Sequence, residues 1–426
     1  MRSEAAGTAR TRGLPLREAL SYVLVAGAVW LGWEAVKAPL ADRGQPALAV
    51  RLSPTSPEVL RRAAEAELLA GRFENAQALS IDSLSRAPFN ARALRVRGLA
   101  EAKLGDTARA DEMLTLAGNW SLRDDPAHAW LIENRLWRGD YVSAFAHADT
   151  LARRRPDLYP SLFRLFKTAA VQDPRALPAI VELLSRSPPW RVPFLEHLHE
   201  EADGAPVVGG LAVALERTES PFTAYELQRL YTFWLAAGRL DGIRELRRRL
   251  GRAPAGALLQ NGDFSTSIED QLLPFGWTTE TGAGIGTALV EDDVRAGNQA
   301  FRLEYDGFAS GVFTRQLMLL DPGEYALEGE WRAETPRAEM PVAWQVVCAE
   351  SGAVVNGTGT ALREGPAEWS SFRQTFSIPR ENCRAQWLQL VAIPGDRRTT
   401  IAVWFDKLRT RASSPSAGRS TSAGAR

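Results

Sequence analysis

The chain has 426 residues, enough for two or three domains that each have a hydrophobic core. Its 51 lysine and arginine residues balance its 51 aspartate and glutamate residues, so the formal net charge is zero. That balance argues against a nucleic-acid-binding protein, because such proteins usually carry a basic excess on one domain.

The beginning of the chain has the pattern of a membrane anchor. Residues 1–17 carry arginines ahead of an apolar run, and helix-compatible flanks extend that run over residues 18–38, about the length of a transmembrane helix. Because positive residues before a span stay in the cytoplasm, we expect a single-pass inner-membrane protein whose bulk is periplasmic. Residues 39–55 form a linker. A cleaved signal peptide is the main rival interpretation and a buried helix is another, although Pro39 makes a cut after Ala38 unfavourable.

A period of 34 residues organises residues 56–157. A glycine can end a helix in a left-handed conformation, an alanine lets two helices cross closely, and a proline closes the second helix of a pair. A single hairpin cannot bury its apolar face, so we expect these units to stack. The residues in this frame are Gly71, Gly105 and Gly139, then Ala76, Ala110 and Ala144, and finally Pro88 and Pro156.

These residues resemble the tetratricopeptide repeat, a helical hairpin with a period of 34 residues. The resemblance implies an α-helical solenoid that binds protein partners. Residues 158–253 keep amphipathic helical spacing but lose the strict period, so we expect a degenerate helical-repeat region there.

The pattern changes sharply in the last third of the chain. Residues 258–411 alternate between apolar and polar side chains and are punctuated by glycine, which predicts eight or more short strands in an antiparallel β-sandwich. Residues 412–426 are rich in serine, glycine and alanine and predict a disordered tail. The predicted fold class is therefore α + β multidomain, with a transmembrane helix, a helical solenoid and a C-terminal sandwich.

Four segments of the predicted sandwich carry a second resemblance. "LLQNGDFS", "PFGW", "DPGEYALEGEWRAE" and "VWFDKLRT" resemble the jelly-roll carbohydrate-binding modules found beside xylanases and related glycosidases. The resemblance implies that sugars lie across one sheet, against aromatic rings and polar groups. Strand alternation then selects candidate sugar-facing side chains. They are Trp387, Gln389, Gln345, Glu330 and Arg332. The alternative is that these residues serve packing and that the sandwich binds no ligand.

The same resemblance raises the question of a structural calcium ion between the first and last strands. Asp263 and Asp406 are the candidate ligands. Ser265 stands where the family usually has a glutamate, so one carboxylate is missing. We expect no other cofactor.

Cys348 and Cys383 are the only cysteines, and both lie in the predicted sandwich. In an oxidising compartment such a pair predicts a disulfide, which would contribute about 3–4 kcal/mol by closing a loop of roughly 35 residues. Two reduced, buried cysteines are the alternative.

Nothing in the sequence has the pattern of a catalytic site. The four histidines all lie in the helical region, and the motifs HExxH and GxSxG are absent, as is a phosphate-binding glycine loop. We therefore predict a non-enzymatic, membrane-anchored scaffold. Its helices bind protein partners and its sandwich binds polysaccharide, in an accessory role in exopolysaccharide or envelope-polysaccharide production or export. The alternative is a scaffold for protein partners alone.

Overall fold

The computed structural model describes residues 16–42, 45–200, 204–252, 258–308, 310–334, 340–363, 365–393 and 400–413. The chain divides into two compact units. The first extends to Phe166 and includes Pro178–Leu183, and the second comprises Lys167–Leu177 and the described residues from Leu184 onward. Most of the predicted basic N-terminus and of the predicted disordered tail lies outside the described residues.

The helical region runs from residue 16 to residue 249. The helices are α1 (Leu16–Asp42), α2 (Pro46–Leu52), α3 (Pro57–Leu69), α4 (Phe73–Arg86), α5 (Ala91–Leu104), α6 (Thr107–Trp120), α7 (Asp125–Trp137), α8 (Tyr141–Ala152), α9 (Tyr159–Gln172), α10 (Ala176–Ser185), α11 (Arg191–Glu200), α12 (Gly204–Leu215), α13 (Ala224–Ala236) and α14 (Leu240–Arg249). A short 3-10 helix, Pro156–Leu158, precedes α9. The helical character predicted for residues 56–253 is confirmed wherever those residues are described.

Helix α1 contains residues 18–38, which the sequence predicted to span a membrane. Within the described part of the chain, no helix has the length and apolar character that a membrane span needs, so the predicted transmembrane helix is wrong. The apolar run of residues 19–33 is shorter than the roughly 20 residues that a span requires. It is followed within the same helix by the charged residues Glu34 and Lys37.

Three consecutive helical hairpins follow the 34-residue frame, α3 with α4, α5 with α6, and α7 with α8. Gly71, Gly105 and Gly139 lie at the turn inside each hairpin, with φ values of +74°, +94° and +72°. A side chain with a Cβ atom disfavours this left-handed backbone, whereas glycine adopts it readily. The glycines therefore allow each chain reversal.

Small residues let the two helices of each hairpin approach. Ala76, Ala110 and Ala144 occupy equivalent positions on α4, α6 and α8, and all three are fully buried. Pro88 lies between α4 and α5, and Pro156 opens the 3-10 helix after α8. The core thus passes from one hairpin to the next, as a cluster formed by α5, α6 and α7 illustrates.

One buried ion pair organises the helices of the second unit. The guanidinium group of Arg191 on α11 donates from Nε and Nη2 to both carboxylate oxygens of Glu226 on α13, at 2.8 and 2.9 Å. Glu226 also accepts from the backbone N–H of Thr223, and Thr223 in turn caps α13. The pair therefore joins a helix-capping box to a neighbouring helix.

The sandwich consists of two antiparallel sheets. Its strands are β1 (Thr278–Thr279), β2 (Ile285–Glu291), β3 (Gln299–Tyr305), β4 (Val312–Met318), β5 (Gly323–Ala333), β6 (Val342–Cys348), β7 (Ser370–Ile378), β8 (Gln386–Ala392) and β9 (Ile401–Ala412). The four-stranded sheet has the order β1-β4-β8-β6, and the five-stranded sheet has the order β2-β3-β9-β5-β7. The predicted antiparallel sandwich and the α + β class are confirmed.

Large apolar side chains fill the space between the two sheets. Trp344 of the four-stranded sheet meets Phe405 of the five-stranded sheet edge-on, with ring centroids 5.4 Å apart. Leu388 and Leu390 of β8 are fully buried beside them, as the alternation of that strand predicted. The side chain of Gln389, which lies between them on β8, must therefore point away from this core.

The predicted disulfide is confirmed. Cys348, the last residue of β6, bonds to Cys383 in the loop before β8, with the two Cα atoms 4.7 Å apart. Because β6 and β8 are also paired by backbone hydrogen bonds, the bridge closes the end of an existing ladder.

Candidate functional site

The structure brings three of the five predicted sugar-facing residues together on the outer face of the four-stranded sheet. Gln345 on β6 lies directly opposite Gln389 on β8, and the Gln389 Nε2 atom donates to the Gln345 Oε1 atom at 3.2 Å. Trp387 lies two residues before Gln389 on the same face and is half-buried. These three residues thus form one polar and aromatic strip.

A neighbouring arginine already occupies part of this strip. The guanidinium carbon of Arg315 on β4 lies 4.7 Å from the centroid of a Trp387 ring. A cation over an aromatic ring is a favourable contact, and it competes with a sugar for the same surface. Trp387 therefore offers a poorer stacking platform than its exposure alone indicates.

The other two predicted residues lie on the five-stranded sheet, so the five do not form one site. Glu330 on β5 forms ion pairs with Arg295 at 2.6 Å and with Lys407 at 3.2 Å. Arg332 is buried, and it pairs with Asp292 at 3.4 Å. Both side chains form ion pairs within the protein, so a ligand would have to compete with those partners.

A groove at the edge of the sandwich is a better candidate site. It has a volume of about 600 Å³ and lies between the edge strand β7 and the loop that precedes it. Its described lining combines apolar side chains with hydroxyl, amide and guanidinium groups. The apolar side chains are Trp331, Ala361, Leu362, Pro366 and Phe372, and the polar ones are Thr360, Arg363, Ser370, Ser371, Arg373 and Gln374.

Backbone hydrogen bonds hold the loop that forms one wall of the groove. The N–H groups of Val355, Gly359 and Leu362 donate to carbonyl oxygens of β6 at 2.8, 2.9 and 3.0 Å. At the far end of the loop, the carbonyl oxygen of Pro366 accepts from the N–H of Ala333 on β5 at 2.7 Å. The loop is thereby fixed to both sheets and forms a defined wall.

Gly357 allows this wall to approach β7 closely. Its φ is +87°, and a Cβ atom at this position would lie 2.4 Å from the carbonyl oxygen of Thr375. The Nε2 atom of Gln374 donates to the carbonyl oxygen of Gly357 at 2.9 Å. A larger residue at position 357 would clash with the β7 backbone and open the groove.

A second glycine makes room for the aromatic ring in the groove. Phe372 pairs with Gly329 across β7 and β5. A Cβ atom at Gly329 would lie 2.8 Å from the Phe372 Cε1 atom and 2.5 Å from the Leu408 Cδ2 atom. The Phe372 ring therefore lies against the backbone of Gly329. Trp331, which is 5 % exposed, lines the groove beside it.

Positive charge dominates this edge of the sandwich. Among the described residues that line the large groove, Arg363 and Arg373 are cationic and none is acidic. A smaller groove of about 270 Å³ shares Ser371, Phe372 and Arg373 with it. Its other charged residues are the carboxylates of Glu328 and Glu330 and the cations Lys407 and Arg409.

The carboxylate of Glu328 lies among three arginines. Arg409 contacts it at 2.8 Å and Arg411 at 3.9 Å, and Arg373 pairs with it as well. The hydrogen bond from Arg409 holds the pKa of Glu328 below its ordinary value. One carboxylate cannot neutralise three guanidinium groups, and the neighbouring Glu330 is itself shared by two cations, Arg295 and Lys407. The edge therefore keeps an excess of positive charge.

The two candidate calcium ligands have different surroundings. Asp263 is exposed and its Oδ1 atom accepts from the Ser265 hydroxyl at 3.0 Å. Asp406 is fully buried, and its Oδ2 atom accepts from the Asn298 side chain at 3.0 Å. Burial raises the pKa of Asp406. The described residues contain no group of three or more acidic, histidine or cysteine side chains that could hold a metal ion. The calcium site stays a prediction.

Sequence reasoning missed the groove for a definite reason. The alternation of "WSSFRQTFSIP" puts Phe372 and Phe376 on one face, which reads as core. Phe376 is buried in the core. Phe372, four residues earlier on β7, lies at the rim of the sandwich, where the loop takes the place of the opposite sheet. The sequence signals for this loop are Gly357 and Gly359, which both have a positive φ in the structure, but glycines alone do not show where a loop folds back.

No protein-family model matches the chain. A search of curated proteins likewise finds no match. Among solved structures, carbohydrate-binding modules match the C-terminal sheet region. The xylan-binding CBM22-1 domain of Paenibacillus barcinonensis Xyn10C is 17 % identical, covers 38 % of this chain and 97 % of its own, and has a TM-score of 0.28.

Two further solved structures have similar values. A CBM4 structure is 17 % identical, covers 36 % of this chain and 99 % of its own, and has a TM-score of 0.28. TmCBM61 in complex with β-1,4-galactotriose is 16 % identical, covers 37 % of this chain and 100 % of its own, and has a TM-score of 0.26. The sandwich architecture of this chain is established by its own strand pairings.

Proposed function

We propose that the sandwich binds a glycan in the groove beside β7. The main observation behind this proposal is the groove itself, because its described lining offers an apolar surface and a polar rim within about 600 Å³. A sugar ring has apolar C–H faces and a periphery of hydroxyl groups, so it needs both kinds of contact. Ligand sites generally combine apolar walls with a few well-placed polar groups in this way.

The charge of the groove favours an acidic glycan. Arg363 and Arg373 line it, and the described lining offers no carboxylate that would repel a uronic acid. Guanidinium groups bind carboxylates through paired, charge-assisted hydrogen bonds. We therefore propose a polysaccharide that contains uronic acids as the preferred ligand.

Affinity electrophoresis of the full chain tests this function, with gels that contain xylan, galactan, alginate or polygalacturonate. We expect retardation in the acidic gels and about tenfold weaker binding for Arg363→Ser, because a hydrogen bond to a charged group contributes about 1.5–3 kcal/mol. Arg380→Ser removes an exposed arginine outside the groove lining and is the matched control. Loss of binding in Trp387→Ala but not in Arg363→Ser would move the site to the four-stranded sheet. Absence of retardation in every gel would refute glycan binding.

The disulfide supports a location for this activity. Disulfides persist in oxidising compartments and are rare in the cytosol. Since Cys348 and Cys383 are bonded, we propose that the sandwich works outside the cytoplasm. There it would act without catalysis, as an accessory protein that holds an exopolysaccharide or envelope polysaccharide during production or export.

A second candidate function belongs to the helical hairpins, which we propose to be tetratricopeptide-like units that bind protein partners. Phe89, between α4 and α5, is 84 % exposed, and its ring lies 5.7 Å from that of Trp120, which is 47 % exposed. Exposed aromatic clusters often mark interaction surfaces. Cross-linking of the full chain in its native envelope, compared with Phe89→Ser, tests this role. A partner that is captured equally by both forms would refute the involvement of this surface.

A further inference from the structure

Arg247 in the second unit is a buried cation that has no acidic partner among the residues the structure describes. It lies in the last turn of α14 and is 8 % exposed. Its Nη2 atom donates to the carbonyl oxygen of Arg252 at 3.0 Å, and its guanidinium carbon lies 3.4 Å from the centroid of the Phe275 ring. A carbonyl and an aromatic face solvate a cation, but they do not neutralise it.

Neighbouring arginines differ from Arg247 in this respect. Arg244 pairs with Asp321 at 3.2 Å, Arg248 with Glu245 at 2.7 Å, and Arg252 with Glu216 at 3.6 Å. For Arg247, no ion pair occurs with any residue that the structure describes. Burial lowers the pKa of Arg247 to about 10, which still leaves the group charged at neutral pH. A charge taken out of water without a counter-charge is strongly unfavourable.

A buried hydroxyl group near Arg247 also lacks a partner. Tyr231 on α13 is fully buried, and its hydroxyl oxygen has no hydrogen-bond partner among the described residues. The Tyr231 ring meets Phe275 edge-on, with centroids 5.4 Å apart. An unsatisfied buried hydroxyl costs about 1–3 kcal/mol, so its presence calls for an explanation.

Both groups line one cavity. This cavity has a volume of about 500 Å³ and is lined by Tyr231, Arg247, Arg252, Gln260 and Asn261, with apolar walls from Leu259, Leu272 and Phe275. A second cavity of about 320 Å³ shares Arg247, Gln260 and Phe275 with the first. The space beside the uncompensated cation is therefore large enough for an organic molecule.

We propose that this cavity binds a small organic monocarboxylate, with Arg247 and Tyr231 donating hydrogen bonds to the carboxylate. A single negative charge would match the single unpaired cation, and a carboxylate oxygen would accept from the tyrosine hydroxyl. The leucine and phenylalanine walls suit a short apolar body attached to that carboxylate. The C-terminal end of α14 already provides a partial negative charge near Arg247. A ligand with two or more negative charges would therefore bring more negative charge than the cavity can neutralise.

Thermal melting of the full chain with hexanoate tests this site, and 1-hexanol and inorganic phosphate serve as controls for the alkyl chain and for negative charge alone. We expect a saturable rise in Tm with hexanoate and none with either control, since a ligand that binds the native state stabilises it.

Two variants separate ligand binding from folding. Tyr231→Phe keeps the ring and removes only an unpartnered hydroxyl, so the ligand-free Tm should not fall, while the apparent Kd for hexanoate should rise at least fivefold. Arg247→Met should abolish the hexanoate shift, and its ligand-free Tm should equal or exceed that of the parent because an unpaired buried charge is removed. An undiminished hexanoate shift in either variant would overturn the proposal. Equal shifts with phosphate, or no shift with hexanoate in the parent chain, would overturn it as well.

Discussion

The buried Arg191–Glu226 pair provides the sharpest stability prediction. Both side chains are almost inaccessible, with 5 % and 4 % of the side-chain surface exposed. Arg191 also donates to the carbonyl oxygens of Leu184, Ser220 and Pro221, each at 3.0 Å. Glu226 is the only carboxylate that forms an ion pair with Arg191 in the described part of the chain. Glu226→Gln keeps the shape of the side chain and removes its charge.

The expected loss in the free energy of unfolding is about 3–5 kcal/mol, the usual effect of breaking a buried ion pair and leaving one charge uncompensated. The bonds from Arg191 to backbone carbonyls remain, so the loss should fall toward the lower end of that range. A matched control lies on the same helices, where Arg229 of α13 pairs with Glu196 of α11 at 3.0 Å. This second pair is 42 % and 36 % exposed, so Glu196→Gln should cost less than about 1 kcal/mol.

Urea unfolding of the full chain, followed by hydrogen exchange of amides in α11 and α13, measures both variants on the same helices. Exchange is preferable to a single global signal because the chain contains two compact units. Equal losses for Glu226→Gln and Glu196→Gln would refute the reasoning, since only the Arg191–Glu226 pair is buried and only its carboxylate belongs to the capping box of α13.

Further predictions concern the groove, the disulfide and the histidines. Gly357→Ala should weaken glycan binding in affinity electrophoresis at least tenfold, because its Cβ would lie 2.4 Å from a backbone oxygen of β7. Gly352→Ala should bind as the parent does, because Gly352 also has a positive φ but lies outside the groove lining and a Cβ there would meet no atom within 4 Å. Cys383→Ser should lower the free energy of unfolding of the sandwich by about 3–4 kcal/mol in the chain-entropy model, and an unchanged urea midpoint would contradict this. The Nδ1 atoms of His128 and His147 lie 3.1 Å apart, and burial lowers the pKa of His147 to about 4. The unfolded chain takes up a proton near pH 6.5 and the folded one only near pH 4, so stability should fall as the pH drops through that interval, with a smaller fall in His147→Gln. A fall of the same size in that variant would exclude His147 as its origin.

Much of the architecture could be predicted from the sequence because it depends on the chemistry of single residues and their near neighbours. The left-handed turns at Gly71, Gly105 and Gly139 need a residue without a Cβ atom, and this requirement appears in the sequence as a 34-residue period. Alternation along "AQWLQLVAI" likewise assigns Leu388 and Leu390 to the core, because neighbouring side chains on a strand point to opposite faces.

Predictions from local sequence patterns failed where the outcome depends on other parts of the chain. The apolar run of residues 19–33 predicted a membrane span, yet its short length and the charges after it leave α1 without enough apolar residues. Alternation also selected Glu330 and Trp387 correctly as residues pointing away from the core. It could not show that they lie on different sheets.

The sequence by itself thus determined properties set by single residues and their near neighbours, which are the helical hairpins, the strands of the sandwich and the two cysteines available to pair. Tertiary structure alone decided which distant segments meet. It placed Phe372 and Arg363 in one groove and separated Glu330 from Trp387. It also brought Arg247 and Tyr231 to one cavity, where no carboxylate occurs in the described lining. The physical reason is that burial and electrostatic pairing depend on the positions of atoms far apart in the chain, and no local pattern records those positions.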